Sequence, residues 1–136
     1  IHPMLLAPAW KGVEDPIARV FALLDRYRWL IVESDCEYGC PIGSLALELH
    51  EPDPAVREAL AANFTAWSNA VRECLVEAGE RLPAGTNIDA LAEFTLTVME
   101  GGVMLARTHR DVGFFDRAVA QLRQHYDQLQ KLGEAA

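Results

Sequence analysis

The chain has 136 residues, 51% hydrophobic and 24% charged, which fits one globular domain large enough to bury its own core. Its 12 basic and 20 acidic residues give a net charge of -8, and a surface of that sign repels a polyanion, so these residues are not expected to bind DNA directly. No apolar run reaches the ~18 residues of a membrane span and no signal peptide is visible, so a cytoplasmic protein without membrane contact is expected.

Cys36, Cys40 and Cys74 are an odd set in a domain that needs no covalent staples, so free thiols in a reducing compartment are expected. The chain starts at Ile1 rather than at methionine, as a piece of a longer protein would.

Residues 2–10 read as the tail of a helix or an irregular lead-in, because Pro3 and Pro8 bracket Met4, Leu5 and Leu6. Asp15 before Pro16 is an aspartate cap with proline in the first turn. Ile17, Val20, Phe21, Leu24, Arg28 and Ile31 then trace one helical face to about Glu33. A polar loop over 34–40 leads to Pro41, which opens a short helix with Ile42, Leu45, Ala46 and Leu49 on its apolar side and an end before Pro52. Asp53 and Pro54 repeat the capping device. They start a long helix through Val56, Leu60, Phe64, Trp67, Val71, Cys74 or Leu75, and Ala78, with Gly79 as its C-terminal cap.

Pro83 and Gly85 break the chain before the helix over 88–108, around which the domain is organised. Ile88, Leu91, Ala92, Thr95, Val98, Met99 and Gly102 form one buried face, and Phe94, Thr97, Gly101, Met104 and Leu105 an adjoining one, which predicts neighbours on two sides. Thr86 and Asp89 suit a capping box, and Arg107, His109 and Arg110 put cations at the negative pole of the helix. Gly101 and Gly102 each weaken a helix by roughly 1 kcal/mol relative to alanine, so their missing side chains are expected to admit another backbone. Asp111, Val112 and Gly113 link tightly to a last helix with Phe115, Ala118, Val119, Leu122, Tyr126 and Leu129 on one face. So short a link makes the final two helices an antiparallel hairpin. The expected fold is all-α, a bundle of about five main helices and a remnant of a sixth, in one domain over 1–136.

Patterns for catalysis and metal binding are missing from the sequence. His50-Glu51 has no second histidine one turn on, and none of His2, His50, His109 and His125 has a glutamate three residues before it. Neither the zinc-protease nor the di-iron pattern is met, and no metal or cofactor is expected. Gly101-Gly102 neither follows a strand nor opens a helix, so it is no nucleotide loop. Cys36 and Cys40 are not at the spacing of a disulfide oxidoreductase, and Glu33, Asp35 and Glu37 beside them disfavour a thiolate. Packing thiols are therefore preferred to a redox switch. Glu48, Glu51 and Asp53 flank a helix end and read as solvated surface. What remains is apolar: Phe21, Leu24, Phe64, Trp67, Phe94, Val98 and Met99, from three helices. Such residues either fill a core or line a ligand cavity, and the sequence leaves both uses open.

The stretch Gly39-Cys40-Pro41-Ile42-Gly43-Ser44-Leu45-Ala46-Leu47-Glu48-Leu49 resembles the segment between the first two long helices in regulatory domains of TetR-like transcription regulators. Glu100-Gly101-Gly102-Val103-Met104-Leu105-Ala106-Arg107 resembles the matching stretch of their penultimate helix. With the helix order, the resemblance extends over about residues 15–129. It implies an effector-binding and dimerisation domain whose last two helices join those of a second subunit in a four-helix bundle. A small, largely apolar molecule would sit among the preceding helices. DNA would be read only by an N-terminal domain outside these residues, to which 1–14 connect. On that basis Thr97, Gly101, Met104, Phe115, Ala118 and Leu122 are the homodimer candidates, and the seven apolar residues above are the ligand candidates. The intact protein would be a transcription regulator, in expectation a repressor, and no enzyme. Two alternatives compete: a stand-alone helical interaction module without a ligand, and a small helical enzyme, which lacks any staged nucleophile, base or metal cluster.

Overall fold

The computed structural model describes residues 3–49 and 53–135, and those residues form six α-helices and a 3₁₀ turn, with no strand among them. In chain order they are α1 (Pro3–Trp10), α2 (Pro16–Glu33), α3 (Pro41–Glu48), α4 (Pro54–Ala78), α5 (Ile88–His109) and α6 (Gly113–Ala135), the 3₁₀ turn Gly79–Arg81 following α4. His2, His50, Glu51 and Pro52 lie outside the described residues, with the readings placed on them.

Proline in the first turn, where its missing N–H is no loss, opens α2, α3 and α4. Asp15 accepts a hydrogen bond from the Ala18 amide at 2.8 Å and Asp53 one from Ala55 at 2.9 Å, as their sequence context predicts. The cap of α5 differs from expectation. Thr86 turns its hydroxyl back onto the Pro83 carbonyl at 2.6 Å, and Asn87, one residue later, accepts from the Ala90 amide at 3.0 Å. Gly79 ends α4 at φ 55°, and Arg110 ends α5 in the left-handed region at φ 53°. The amino-terminal segment is a helix packed on α2: Trp10 Nε1 donates to the Arg19 carbonyl at 2.8 Å, and Arg19 Nε donates to the Val13 carbonyl at 2.7 Å.

Helix α5 is the centre of the domain and packs most extensively on α6 and α4. It buries Leu91, Ala92, Thr95, Met99, Gly102, Val103 and Ala106. The Thr95 hydroxyl donates to the Leu91 carbonyl, so the Tyr126 hydroxyl, 2.8 Å away on α6, donates to it in turn. Gly102, not Gly101, admits the close approach of α6, because a methyl group there would lie 2.9 Å from Phe115 Cδ2, whereas one on Gly101 would meet nothing within 4 Å.

Three expectations change on this account. Phe21 and Leu24 are core residues, Phe21 standing edge-on to Tyr126 at 5.1 Å. Phe115 and Leu122, at 1% and 2% exposure, are spent inside the core of the chain itself, since the α6 face that carries them is pressed against α5. The face of α3 expected to be apolar and inward buries nothing, with Leu45, Ala46 and Leu49 exposed. This helix leans chiefly on α4, and a hollow lies beneath it.

Candidate ligand-binding site

The hollow is a pair of adjoining cavities bounded by α2, α3, α4 and α5. The inner one, of about 290 Å³, is walled by aromatic side chains from three places: Tyr27 on α2, Tyr38 in the following loop, and Phe64 and Trp67 on α4. Leu96 and Met99 on α5 form its floor, and Ile42 on α3 faces it. The outer one, of about 550 Å³, runs along α5 past Thr97, Gly101, Met104 and Arg107. The two share Cys40, Phe64, Leu96 and Glu100. Both volumes are of the order that small-molecule pockets occupy.

Its shape follows from the sequence. Residues 39–46 supply Gly39, Gly43, Ser44 and Ala46 to the outer cavity, and side chains this small cannot fill the distance from α3 to α5. Opposite them the aromatic wall is held rigid: Trp67 Nε1 donates to the Tyr27 hydroxyl at 3.1 Å, with ring centroids 6.4 Å apart, and Tyr38 lies 6.3 Å from Tyr27.

Polar groups are few here. The Cys40 thiol neighbours the Glu100 carboxyl, and Gly43 is pressed so close to Glu100 Oε2 that a β-carbon there would collide with it. Burial holds the Glu100 carboxyl above the usual carboxylate range, an effect that the thiol partly offsets. Burial, and then the Glu100 carboxylate, push the Cys40 thiol up to about 11, so it is no ready nucleophile near neutral pH. Cys36, Cys40 and Cys74 are all free thiols.

Of the expected ligand residues, the structure brings Phe64, Trp67 and Met99 together in the inner cavity. Val98 is half-buried against the core. Phe94 lines a separate open cleft of about 480 Å³ beside His125, Leu129 and Leu132. Tyr27, Tyr38, Cys40 and Glu100 were not among the sequence candidates. Glu100 had a signal, as the one charged residue between Phe94 and Ala106.

The model of the LmrA/YxaF-like transcriptional regulator C-terminal domain, a TetR family, matches residues 16–121. The chain belongs to the TetR-like regulators. This TetR-like domain is 32% identical over 107 residues to an uncharacterized HTH-type transcriptional regulator known from two strains of Mycobacterium tuberculosis. The match takes in 75% of this chain and 54% of the relative, so the chain spans about half the length of the curated relatives it matches. A crystal structure of regulatory protein TetR from Rhodobacter sphaeroides shares the fold, with a TM-score of 0.81 at 23% identity over 90% of this chain and 66% of that one. Among the described residues, no helix of this TetR-like domain is long and apolar enough to cross a membrane.

Proposed function

We propose that this TetR-like domain senses a small, largely apolar effector and joins two copies of a cytoplasmic transcriptional repressor. The observation that carries the reading is that one helix offers a surface for each task. Helix α5 lines the aromatic cavity with Leu96 and Met99, and on its outer side leaves Phe94 and Leu105 at 47% and 41% exposure. Apolar residues left open three turns apart on one helical face suit an interface between copies.

On this reading the homodimer face comprises Thr97, Gly101 and Met104 of the original candidates, with half-buried Ala118. Phe94, Leu105 and Leu132 join them. A partner hairpin laid across α5 and α6 would complete a four-helix bundle. Effector binding would favour one arrangement of the two subunits and so change operator affinity in the intact protein. DNA contact would come from a part of that protein outside this chain, for which residues 1–14 would be the connection. The net charge of -8 supports that division of labour.

Sedimentation and a thermal-shift screen of apolar and aromatic compounds test the proposal together. The expected result is a dimer with a subset of compounds raising the melting temperature, since ligand at a hundred times its Kd stabilises by about 2.7 kcal/mol. Monomer alone at high concentration, with no compound that stabilises it, would end the reading.

A further inference from the structure

The carboxyl of Glu100 presents a problem that the protein does not solve by itself. Its Oε1 is fully buried and has no hydrogen-bond partner, while Oε2 is shut in against Gly43, and the neighbouring Cys40 thiol only partly offsets the effect of burial. None of the four ion pairs among the described residues includes Glu100. Arg107, two turns further along α5, is exposed with its guanidinium near Gly39 at the outer mouth. By helical rise it is about 10 Å from Glu100 along the axis. A buried acceptor left open in an apolar cavity is costly, and the charged form of a carboxyl more so. The structure keeps this one beside a chamber wide enough for a guest.

We propose that the cavity takes an aromatic molecule bearing a basic nitrogen, whose protonated nitrogen pairs with the Glu100 carboxyl, which borders both chambers, while its rings lie among Tyr27, Tyr38, Phe64 and Trp67. The inference rests on the reading of this domain as effector-binding and names the chemistry of the effector. Three observations meet in it. The open acceptor asks for a donor, and a cationic donor also neutralises the buried charge. The aromatic wall presents ring faces and edges that suit both flat rings and a nearby cation. The inner chamber, at about 290 Å³, is small for a pocket and so favours a bicyclic ring with a short amino arm over a long flexible chain. An anion would have only the exposed Arg107 to meet it, at the mouth rather than at the aromatic wall.

Calorimetric titration of the chain with three probes of one shape, 2-(1-naphthyl)ethylamine, 2-(1-naphthyl)ethanol and 1-naphthylacetate, tests the assignment on wild type and Glu100→Gln. The expected result is that the amine binds wild type at least about tenfold more tightly than the alcohol, the scale of a hydrogen bond to a charged group. Glu100→Gln should remove that preference and leave the affinity for the alcohol within about threefold, which also shows that the variant is folded. Equal binding of amine and alcohol to wild type, or tighter binding of the acid, overturns the cationic effector and leaves the effector-binding domain standing. A preference for the amine that survives in Glu100→Gln also overturns the role of Glu100. Failure of all three probes to bind overturns this inference, while the broad compound screen separately decides the effector-binding reading.

Discussion

Gly102 on α5 lies directly against Phe115 on α6, so close that the β-carbon of any other residue would stand 2.9 Å from Phe115 Cδ2 and 3.5 Å from its Cα. The next residue back, Gly101, has open space where its side chain would be. Two adjacent glycines of one helix therefore carry opposite forecasts. Gly102→Ala should lose about 1–3 kcal/mol through overpacking, less the roughly 1 kcal/mol that alanine returns in a helix, and its melting temperature should fall. Gly101→Ala should keep the helical gain. A calorimetric scan of both variants in which Gly102→Ala melts no lower than Gly101→Ala would remove this account of the crossing.

The buried carboxyl predicts a pH-dependent stability. Tyr27, Tyr38 and Cys40 face Glu100 from α2, the following loop and the start of α3, and burial raises all three, Tyr38 to about 12 and Cys40 to about 11. Arg107 is the charged group further along its own helix and is exposed. Glu100 is thus the group of this cluster that titrates on the acid side. Its folded-state value lies above the ordinary 4.5, so the folded protein holds this proton more tightly than the unfolded chain. That contribution is fully present below 4.5 and is lost as pH rises through the folded value. Glu100→Gln should therefore melt higher than wild type near neutral pH, with the gap narrowing on acidification. Paired melting curves across that range check it, and a gap that widens toward acid would reverse the sign.

Charge on the outer face of the hairpin should separate the copies without unfolding them. Phe94→Glu with Leu105→Glu changes two exposed side chains, where substitutions away from special features move stability by only about 0.5 kcal/mol. The Kd of the proposed dimer should rise by about tenfold or more, read by sedimentation across a dilution series. Phe115→Ala provides the contrast. Removing that core ring should lower stability by about 3–5 kcal/mol, seen as a large fall in the denaturant midpoint.

At the start of α5, Asn87→Ala should lose about 0.5–2 kcal/mol, the usual worth of a cap, and Thr86→Ala should lose less. Denaturant titration of the two variants gives the order directly. The reverse order would restore Thr86 as the cap.

That last pair marks how far the residues could be read unaided. Asp15-Pro16 and Asp53-Pro54 disclosed the starts of α2 and α4 because capping is local chemistry between near neighbours, and Gly79 disclosed an end for the same reason. Thr86 and Asn87 are both good caps, and only the turn set by Pro83 decides between them. The site was harder to see. Phe21 and Phe64 sit on helical faces of the same period, yet Phe21 is sealed by Tyr126 while Phe64 looks into a hollow. What separates them is the thickness of the layer opposite, which depends on where the small residues of α3 come to rest. Phe115 and Leu122 misled for a related reason, since a helix in a hairpin has two apolar neighbours and periodicity does not say which one is in the same chain. Glu100 was passed over because a lone acid in an apolar run has no spacing partner to form a motif.

The hydrogen bond between Trp67 and Tyr27 ties one wall of the cavity to α2, and α2 is fastened at its other end to α1 through Trp10, Val13 and Arg19. A guest wide enough to wedge those two rings apart would thus push on a stiff lever whose far arm is the amino-terminal helix. The direction of that push, more than the tightness of the fit, would decide which occupants of the cavity are felt beyond it.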